Sequence, residues 1–371
     1  MQILEFITLL RESTHIEHPE DLVFTQGSQG AGRAMQALNS VIAQPKNLTI
    51  KWDGFPAIIF GRNVDGQLTV ADKHMFTKGD GSGRNITSLQ QFIAYDQARG
   101  VDRGDLYQKL NVLWPGLEQA VPTSSRGYYW GDLLWAGMPS AQNNEYVFRP
   151  NTVTYHIPVL SELGKRISKS TGGVVVHQFF ADFDSPPQVL NGTGDLNLSG
   201  PLCVLTPQIN DKIVLKSPVQ QLKKADSAIS KYGAAVDQLI DPTNLASFKM
   251  KDLPALMKMY INFKVRGGTS SFLEWLPAKL STAKHERMYG VNQDGYLHQN
   301  IQGLEGAFVI CDAVAAVKNN VVAQLDTQQK TVQASINGQS GGEGYVVSTP
   351  QGLLKLVNRS MFSAANFAKN P

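Results

Sequence analysis

The first place in the sequence where side chains could do covalent chemistry is a lysine at the end of a short β-type run. Lys51 is followed by Asp53 and then by Gly54, which favours a tight turn. An amine that acts as a nucleophile must first lose its proton, so it needs surroundings that destabilise the ammonium form, such as nearby cations or partial desolvation. An acid and a glycine beside it can position sugar and phosphate groups. The same short pattern is also typical of a surface β-turn with a solvated lysine.

Two segments nearer the C-terminal end supply the other groups that such a reaction needs. Glu343 lies among glycines at the start of an apolar run, and Lys355 lies inside the next apolar run. A carboxylate at the mouth of a strand can hold Mg²⁺, and a lysine in a strand can hold a phosphate. Lysine in an apolar strand is costly to bury unless it faces solvent or an anion. Taken alone, Lys355 therefore favours an outward-facing position on an edge strand over a phosphate contact.

Taken in this order, the segments resemble the covalent nucleotidyltransferase superfamily, which includes the ATP-dependent DNA and RNA ligases and the mRNA capping enzymes. The segment from Lys51 to Gly54 resembles motif I, whose lysine becomes adenylylated, and Glu343 with the glycine after it resembles motif IV. Asp132, in a Gly-Asp-Leu sequence, resembles motif III, and Lys355 resembles motif V. Because only a short segment follows Lys355, we expect the RNA-ligase-like branch that lacks a C-terminal OB domain.

The resemblance implies ATP and Mg²⁺ (or Mn²⁺) as cofactors and RNA or DNA ends as substrates. Lys51 would attack the α-phosphate of ATP, release pyrophosphate and form a lysyl-AMP phosphoramidate. AMP would then pass to a 5′-phosphate, and a 3′-hydroxyl would displace it to seal the strand. Glu343 and Asp132 would hold the metal, while Lys355 would hold the α-phosphate and lower the pKa of Lys51.

The resemblance also implies contacts to the nucleotide. Lys73 stands where the family places a strand with a basic residue, and an aromatic ring should stack on adenine. Phe180, Phe179 and Tyr155 are candidates for that ring, although each is also typical of a core position. The expected catalytic residues are Lys51 and Lys355. The expected nucleotide-binding residues are Lys51, Asp53, Gly54, Lys73, Asp132, Tyr155, Phe180 and Lys355.

Two kinds of alternative stay open at this point. Glu305 is a second motif IV candidate, but Glu343 is preferred because Lys355 follows it at a suitable distance, whereas Glu305 leads into a stretch that predicts a buried helix. Ligases usually carry arginine where this chain has Pro56. The alternative functions are a catalytically degenerate nucleotidyltransferase fold that binds nucleic acid or serves a structural role, and a nucleotidyltransferase whose acceptor is not a strand end.

The elements that must position these residues predict an α+β fold. Short β-type runs punctuated by Gly, Pro and Asn dominate one part of the chain, and residues with helical spacing dominate another. We expect a nucleotidyltransferase (ATP-grasp-like ligase) core of antiparallel sheets with helices, interrupted by a helical insertion. The expected divisions are an N-terminal helical segment at 1–45, the nucleotidyltransferase domain at 46–205 plus 336–371, and the insertion at 206–335.

Composition excludes several other classes. The chain has 371 residues, of which 42% are hydrophobic and 18% charged, and its net charge is only +3, unlike a polybasic nucleic-acid binder. Its two cysteines form no CxxC pair, which argues against a disulfide scaffold or a cysteine-rich zinc site and favours the cytoplasm. The apolar stretch 306–317 is too short for a membrane span, so no membrane association is expected. Lysines of the helical block, such as Lys223, Lys224 and Lys231, form either a nucleic-acid clamp or a solvated helix face.

Overall fold

The computed structural model describes residues 16–77, 81, 83–190, 192–209, 211–290, 294–350 and 352–369. Residues 1–15 of the helical segment expected at 1–45 lie outside the described residues. The described chain forms two compact units. The first unit consists mainly of 49–211 and 329–343, and the second consists of 17–48, 212–328 and the described part of 344–371.

Strands and helices alternate irregularly along the chain. The strands are β1 (Leu48–Ile50), β2 (Ala57–Arg62), β3 (Leu68–Ala71), β4 (Gly127–Ala136), β5 (Ser140–Gln142), β6 (Glu145–Phe148), β7 (Thr154–Pro158), β8 (Gly172–Phe180), β9 (Gln188–Val189), β10 (Leu202–Leu205), β11 (Gln333–Ile336), β12 (Gln339–Ser340), β13 (Tyr345–Thr349) and β14 (Gly352–Leu356). The helices are α1 (Leu22–Ala43), α2 (Lys73–Thr77), α3 (Leu89–Ala98), α4 (Gly104–Ala120), α5 (Glu162–Ile167), α6 (Val219–Leu239), α7 (Pro242–Ser247), α8 (Leu253–Val265), α9 (Phe272–Trp275), α10 (Thr282–Tyr289), α11 (Tyr296–Gln299), α12 (Ile301–Gln328) and α13 (Phe362–Lys369). The α+β class predicted from the sequence is confirmed.

A mixed sheet of six strands forms the centre of the first unit. Its order is β10-β8-β4-β2-β3, and β9 pairs with β8 beside this path. Only the β10–β8 pair is parallel. Helix α4 covers one face because Leu106, Leu110, Leu113 and Leu117 recur at helical spacing and are buried in the same cluster as Val174 and its strand neighbours. The strands that carry candidate residues are therefore fixed by a continuous apolar core.

A second sheet of the first unit is antiparallel, with the order β12-β11-β7-β6-β5. Its strands come from two distant stretches of the chain, since Ser335 of β11 pairs with Thr154 of β7. This pairing brings residues that follow β12, Glu343 among them, into the unit that also contains Lys51.

The second unit is built on helices α1, α6 and α12, which pack against one another. Helix α12 approaches α6 closely at Gly306, where a Cβ atom would collide with Tyr232. Two buried ion pairs tie the unit together. Lys318 of α12 pairs with Glu20, and Nη1 of Arg359 donates to Asp21 at 2.9 Å.

Helix α12 is the one helix in the described part of the chain that is long and apolar enough to cross a membrane, with a mean hydropathy of 1.4 in its most apolar window. The helix extends well beyond the apolar stretch 306–317 on both sides. Half of the window is buried inside the second unit, and the helix contains the buried, ion-paired Lys318. These are features of a core helix.

The two units divide the N-terminal and C-terminal parts of the chain differently from the expected domains. Residues 344–371 were expected with the nucleotidyltransferase domain, but they belong to the helical unit together with 17–48. Two contacts explain this grouping: Lys355 of β14 donates its backbone N–H to the carbonyl of Glu17 at 2.9 Å, and Arg359 reaches Asp21. The helical stretch expected at 206–335 corresponds to 212–328 of the second unit.

Candidate active site

Lys51 lies directly after β1, at a point where the backbone is anchored on its N-terminal side. The N–H of Ile50 donates to the carbonyl of Pro207 at 2.6 Å. The Lys51 side chain is 31% exposed, and its Nζ atom forms an ion pair with the carboxylate of Glu343, which lies 292 positions later in the sequence. The structure therefore brings together the two residues on which the motif I and motif IV resemblances depend.

Glu343 is held by the hairpin of β11 and β12. Its backbone position follows Gly341, whose N–H donates to the carbonyl of Ala334 at 2.9 Å. Gly341 has a φ of 146°, a value that an L residue rarely adopts, so glycine is needed for the chain to leave the hairpin in this direction. The Glu343 side chain is 11% exposed. Its carboxylate is thus buried against the amine of Lys51.

Asp132 adds a second acid to the site. It lies in β4, opposite Ala57 of β2 and Val175 of β8, and its side chain is 21% exposed. Burial raises the pKa of Asp132 to about 7, although the Lys51 ammonium acts in the opposite direction. Burial raises the pKa of Glu343 to about 7 as well, again against the lowering effect of Lys51. Both carboxyl groups therefore change charge near neutral pH.

The acids around Lys51 shift the pKa of its amine. Burial lowers its pKa, but the carboxylates of Glu343, Asp132 and Asp53 together raise it more, so its pKa lies above the ordinary value. Lys51 is consequently an ammonium ion in this state. An ammonium ion has no lone pair, so nucleophilic chemistry at this amine requires that the negative charge around it be compensated and its proton be removed.

Asp53 has a positioning role in the structure. Its carboxylate accepts hydrogen bonds from Asn151 Nδ2 at 2.8 Å, from the N–H of Thr152 at 2.5 Å and from the N–H of Val153 at 2.7 Å. Its own N–H donates to the hydroxyl of Tyr155 at 2.6 Å. These bonds clamp the segment after Lys51 onto the loop before β7, and they occupy the carboxylate that the resemblance assigned to the nucleotide.

Gly54 allows the segment after Lys51 to run close to β4. A Cβ atom on Gly54 would collide with the Cβ of Asp132 and lie 3.1 Å from the carbonyl oxygen of Leu133. The next residue, Phe55, donates its N–H to that same carbonyl at 2.9 Å. The absence of a side chain at position 54 thus brings the Lys51 segment and the Asp132 strand together.

His177 is a site residue that the sequence analysis missed. The register between β4 and β8 shifts here, since Trp130 pairs with Gln178 but Gly131 pairs with Val176, so His177 is the extra residue of a β-bulge. Its Nδ1 atom lies 3.9 Å from Oδ2 of Asp132, and burial with the nearby Lys51 lowers its pKa to about 4. A neutral imidazole therefore lies beside Asp132 at pH 7. The only hint of this role in the sequence is that a polar residue directly follows three valines.

Two of the three aromatic candidates, Tyr155 and Phe180, are core residues in the structure, and Phe179 is partly buried. Tyr155 is 1% exposed, and its ring packs on Trp52 at 4.7 Å between centroids. Phe180 is fully buried between Phe76 and Trp130. Neither ring presents a face to a ligand, so the expected stacking role of Tyr155 and Phe180 is not supported by their positions. In β7 every second residue is buried, and Tyr155 is one of these, so its ring lies on the covered face of its sheet.

The remaining candidates lie elsewhere. Lys73 was expected on a strand, but it begins the short helix α2, where its Nζ lies 5.8 Å from the centroid of Trp130. Lys355 lies in β14 of the second unit, paired in register with Val346. Its predicted role as a phosphate contact stays a prediction. Glu305 is an exposed residue of α12 in the second unit, whereas Glu343 is the acid beside Lys51.

The donor set suits a metal that is shared with a substrate. Among the residues that the structure describes, no group of three or more His, Cys, Asp or Glu side chains could hold a metal ion by itself. Mg²⁺ in phosphoryl-transfer sites usually takes only one or two carboxylates and completes its shell with phosphate oxygens and water. Glu343 and Asp132 provide two hard oxygen donors whose negative charge is penalised by burial. The two carboxylates are therefore of the chemical type that Mg²⁺ or Mn²⁺ binds.

Comparison with known proteins gives one match. No curated protein and no solved structure matches the chain. A family model described as a family of unknown function, DUF6267, matches residues 13–370, a range that includes Lys51, Asp132 and Glu343. The match runs through both compact units. The chain therefore belongs to the DUF6267 family.

Proposed function

We propose that this protein is an ATP-dependent polynucleotide ligase that acts through a lysyl-AMP intermediate on a nucleotidyltransferase core interrupted by a helical insertion. One observation carries the proposal: the amine of Lys51 is ion-paired with Glu343, an acid from the other end of the chain, and Asp132 contributes to the same electrostatic environment. These are the positions that resemble motifs I, IV and III. A surface β-turn with a solvated lysine would show neither this pairing nor these acids.

The chemistry follows from the charges of the site. In the first step a bond forms between Nζ of Lys51 and the α-phosphorus of ATP, the bond to pyrophosphate breaks, and the amine loses its protons. The carboxylates of Glu343, Asp132 and Asp53 raise the pKa of Lys51, so a cation bound to Glu343 and Asp132 would lower it again, and the protons of the amine then pass to water. A divalent metal, when bound, neutralises phosphate charge. Glu343 and Asp132 would hold it.

The later steps transfer AMP to the nucleic acid. An oxygen of the 5′-phosphate attacks the phosphorus of lysyl-AMP, the nitrogen–phosphorus bond breaks, and Lys51 regains its amine. The 3′-hydroxyl then attacks the 5′-phosphorus and AMP leaves with the bonding electrons. The clamp that Asp53 forms holds Lys51 in place through this cycle, because it ties the following residues to the Asn151–Val153 loop.

The test is covalent labelling of the purified protein with ATP that carries a radiolabel on the α-phosphate, in the presence of Mg²⁺. The wild type should be labelled on a denaturing gel. Lys51→Ala and Glu343→Gln should each reduce labelling roughly 100-fold or more, since each removes a group on which the transition state depends. Matched controls are Lys46→Ala and Glu305→Gln, which make similar changes at exposed positions and should label like the wild type.

Each outcome has a meaning. A wild type that takes no label while its circular dichroism shows a folded protein would favour the degenerate nucleotidyltransferase fold. Labelling that depends on Glu305 and not on Glu343 would contradict the site. Labelled protein that transfers AMP to neither 5′-phosphorylated RNA nor nicked DNA would indicate an acceptor that is not a strand end.

A further inference from the structure

Helix α6 of the second unit carries a concentrated patch of positive charge. Lys223, Lys224 and Lys231 are exposed and line one surface depression of about 340 Å³ together with Ser227, Tyr232 and Val309. With 3.6 residues per turn, the three lysines fall within an arc of about 100°. They therefore project from a single side of the helix, which we call the α6 lysine face.

The charge of this face is not neutralised within the described structure. No described carboxylate lies within ion-pair distance of Lys223, Lys224 or Lys231. Of the two acids of α6, Asp226 lies about 110° around the helix from the centre of the face. The other, Asp237, accepts hydrogen bonds from the N–H and the hydroxyl of Ser28 at 2.7 and 2.6 Å. Three like charges thus share one depression without a counter-charge.

The floor of the depression is partly apolar. Lys231 Nζ lies 4.8 Å from the centroid of the Tyr232 ring, and Val309 of α12 is 43% exposed beside it. Lysines interleaved with an aromatic ring are typical of surfaces that bind nucleic acid, where ammonium groups contact phosphates and a ring contacts sugar or base.

The spacing of the lysines fits a phosphodiester backbone. Lys223 and Lys231 are eight residues apart, which is about 12 Å along the helix axis. Phosphates of one duplex strand recur about every 3.4 Å along the axis, so this length spans three to four of them. Lysine ammonium groups bind phosphates as point charges and do not require a fixed orientation.

We propose that the α6 lysine face is a docking surface for the sugar–phosphate backbone of a polynucleotide. The identity of the polyanion rests on the proposed function, whereas the existence of a polyanion-binding face rests on α6 itself. Binding here is independent of base sequence, because all three cations contact phosphate.

The experiment compares two full-length triple variants that lower the net charge equally. Lys223→Gln/Lys224→Gln/Lys231→Gln removes the α6 lysine face, and Lys212→Gln/Lys251→Gln/Lys279→Gln removes three exposed lysines elsewhere in the second unit. Glutamine has nearly the helix propensity of lysine, so α6 should persist. Fluorescence anisotropy measures binding of 5′-phosphorylated single-stranded RNA and of a nicked DNA duplex between 50 and 200 mM salt, the range over which phosphate contacts change affinity most visibly.

The α6 variant should bind at least about 10-fold more weakly than the wild type, and its log–log salt slope should be shallower by about two to three, since each lost phosphate contact contributes about 0.7–0.9. The control variant should keep most of the wild-type affinity and most of the salt slope. A triple variant with arginine in place of the three α6 lysines should bind like the wild type. Equal losses in the α6 and control variants would overturn the proposal. So would binding to phosphatidylserine vesicles through these lysines without any binding to nucleic acid.

The failure of this proposal can be told apart from the failure of the proposed function. Lysyl-AMP formation needs only ATP and metal, so the α6 variant should label like the wild type. A labelled protein whose nucleic-acid binding ignores the α6 lysines would contradict the docking surface alone. A protein that takes no label but loses nucleic-acid binding in the α6 variant would contradict the ligase alone.

Discussion

Replacement of Asp53 by alanine tests whether this residue positions Lys51 or binds the nucleotide. The carboxylate is 5% exposed and accepts three hydrogen bonds, two of them from the backbone N–H groups of Thr152 and Val153. A hydrogen bond to a charged group contributes about 1.5–3 kcal/mol, and bonds that share one carboxylate are not fully additive. Asp53→Ala should therefore lower the free energy of unfolding by about 3–5 kcal/mol, and Asp53→Asn by about 1–3 kcal/mol, because asparagine keeps one acceptor oxygen.

Urea unfolding followed by tryptophan fluorescence measures this loss. Four of the five tryptophans belong to the first unit, so the signal reports mainly on the unit that contains Asp53. The control is Asp65→Ala, which removes an exposed carboxylate from the turn after β2 and should change stability by no more than about 0.5 kcal/mol.

Two results would refute the reasoning. If Asp53→Ala costs no more than Asp65→Ala, the three hydrogen bonds do not hold the loop. If Asp53→Asn keeps full stability but raises the KM for ATP, the carboxylate contacts the nucleotide, as the family resemblance implied. The positioning role predicts the reverse, namely lost stability and a lower labelling rate at all ATP concentrations.

Three further perturbations follow from the structure. Asp132→Asn should raise the melting temperature at pH 8 but not at pH 4. Burial raises the pKa of Asp132 from 3.8 to about 7, so the wild type loses stability as the pH rises from about 4 to 7, whereas asparagine stays neutral. A variant less stable than the wild type at pH 8 would contradict this prediction. Lys318→Ala should lower the free energy of unfolding by about 3–5 kcal/mol, because the buried Glu20 then keeps only the more distant Arg359, whose Nε lies 3.9 Å away. In urea unfolding, the Glu20→Gln/Lys318→Ala double variant should lose less than the single one. Equal losses would show that the two charges are not coupled. Gly54→Ala should destabilise the first unit by about 1–3 kcal/mol in the same assay and reduce labelling, because the Cβ of the alanine collides with Asp132. A fully stable variant would mean that the Lys51 segment can move away from β4 without cost.

The approach of Lys51 to Glu343 could be anticipated from the sequence, because the residue types and their order along the chain resemble a known set of motifs. The α+β class could be anticipated too, because short β-type runs and stretches with helical spacing occupy different parts of the chain. Both inferences depend on local sequence patterns, which can be recognised without knowledge of the tertiary contacts.

Other features depend on tertiary contacts that no local pattern encodes. His177 faces Asp132 because of a bulge in β8, and a single extra residue in a strand has no distinct signature. Tyr155 and Phe180 are candidates for stacking on adenine in the sequence, but in the structure both rings are buried against other aromatic rings. The grouping of 344–371 with the helical unit depends on Arg359 reaching Asp21, an ion pair across 338 positions.

The most direct test of the central claim is to locate the nucleotide on the protein. The wild type is incubated with ATP and Mg²⁺, digested with a protease at neutral pH, and its peptides are measured by mass spectrometry before and after mild acid, which cleaves a phosphoramidate. The account predicts one AMP on the peptide that contains Lys51, lost on acid treatment and missing from Glu343→Gln. A folded protein that carries no AMP at saturating ATP, or carries it on a different residue, would contradict the account.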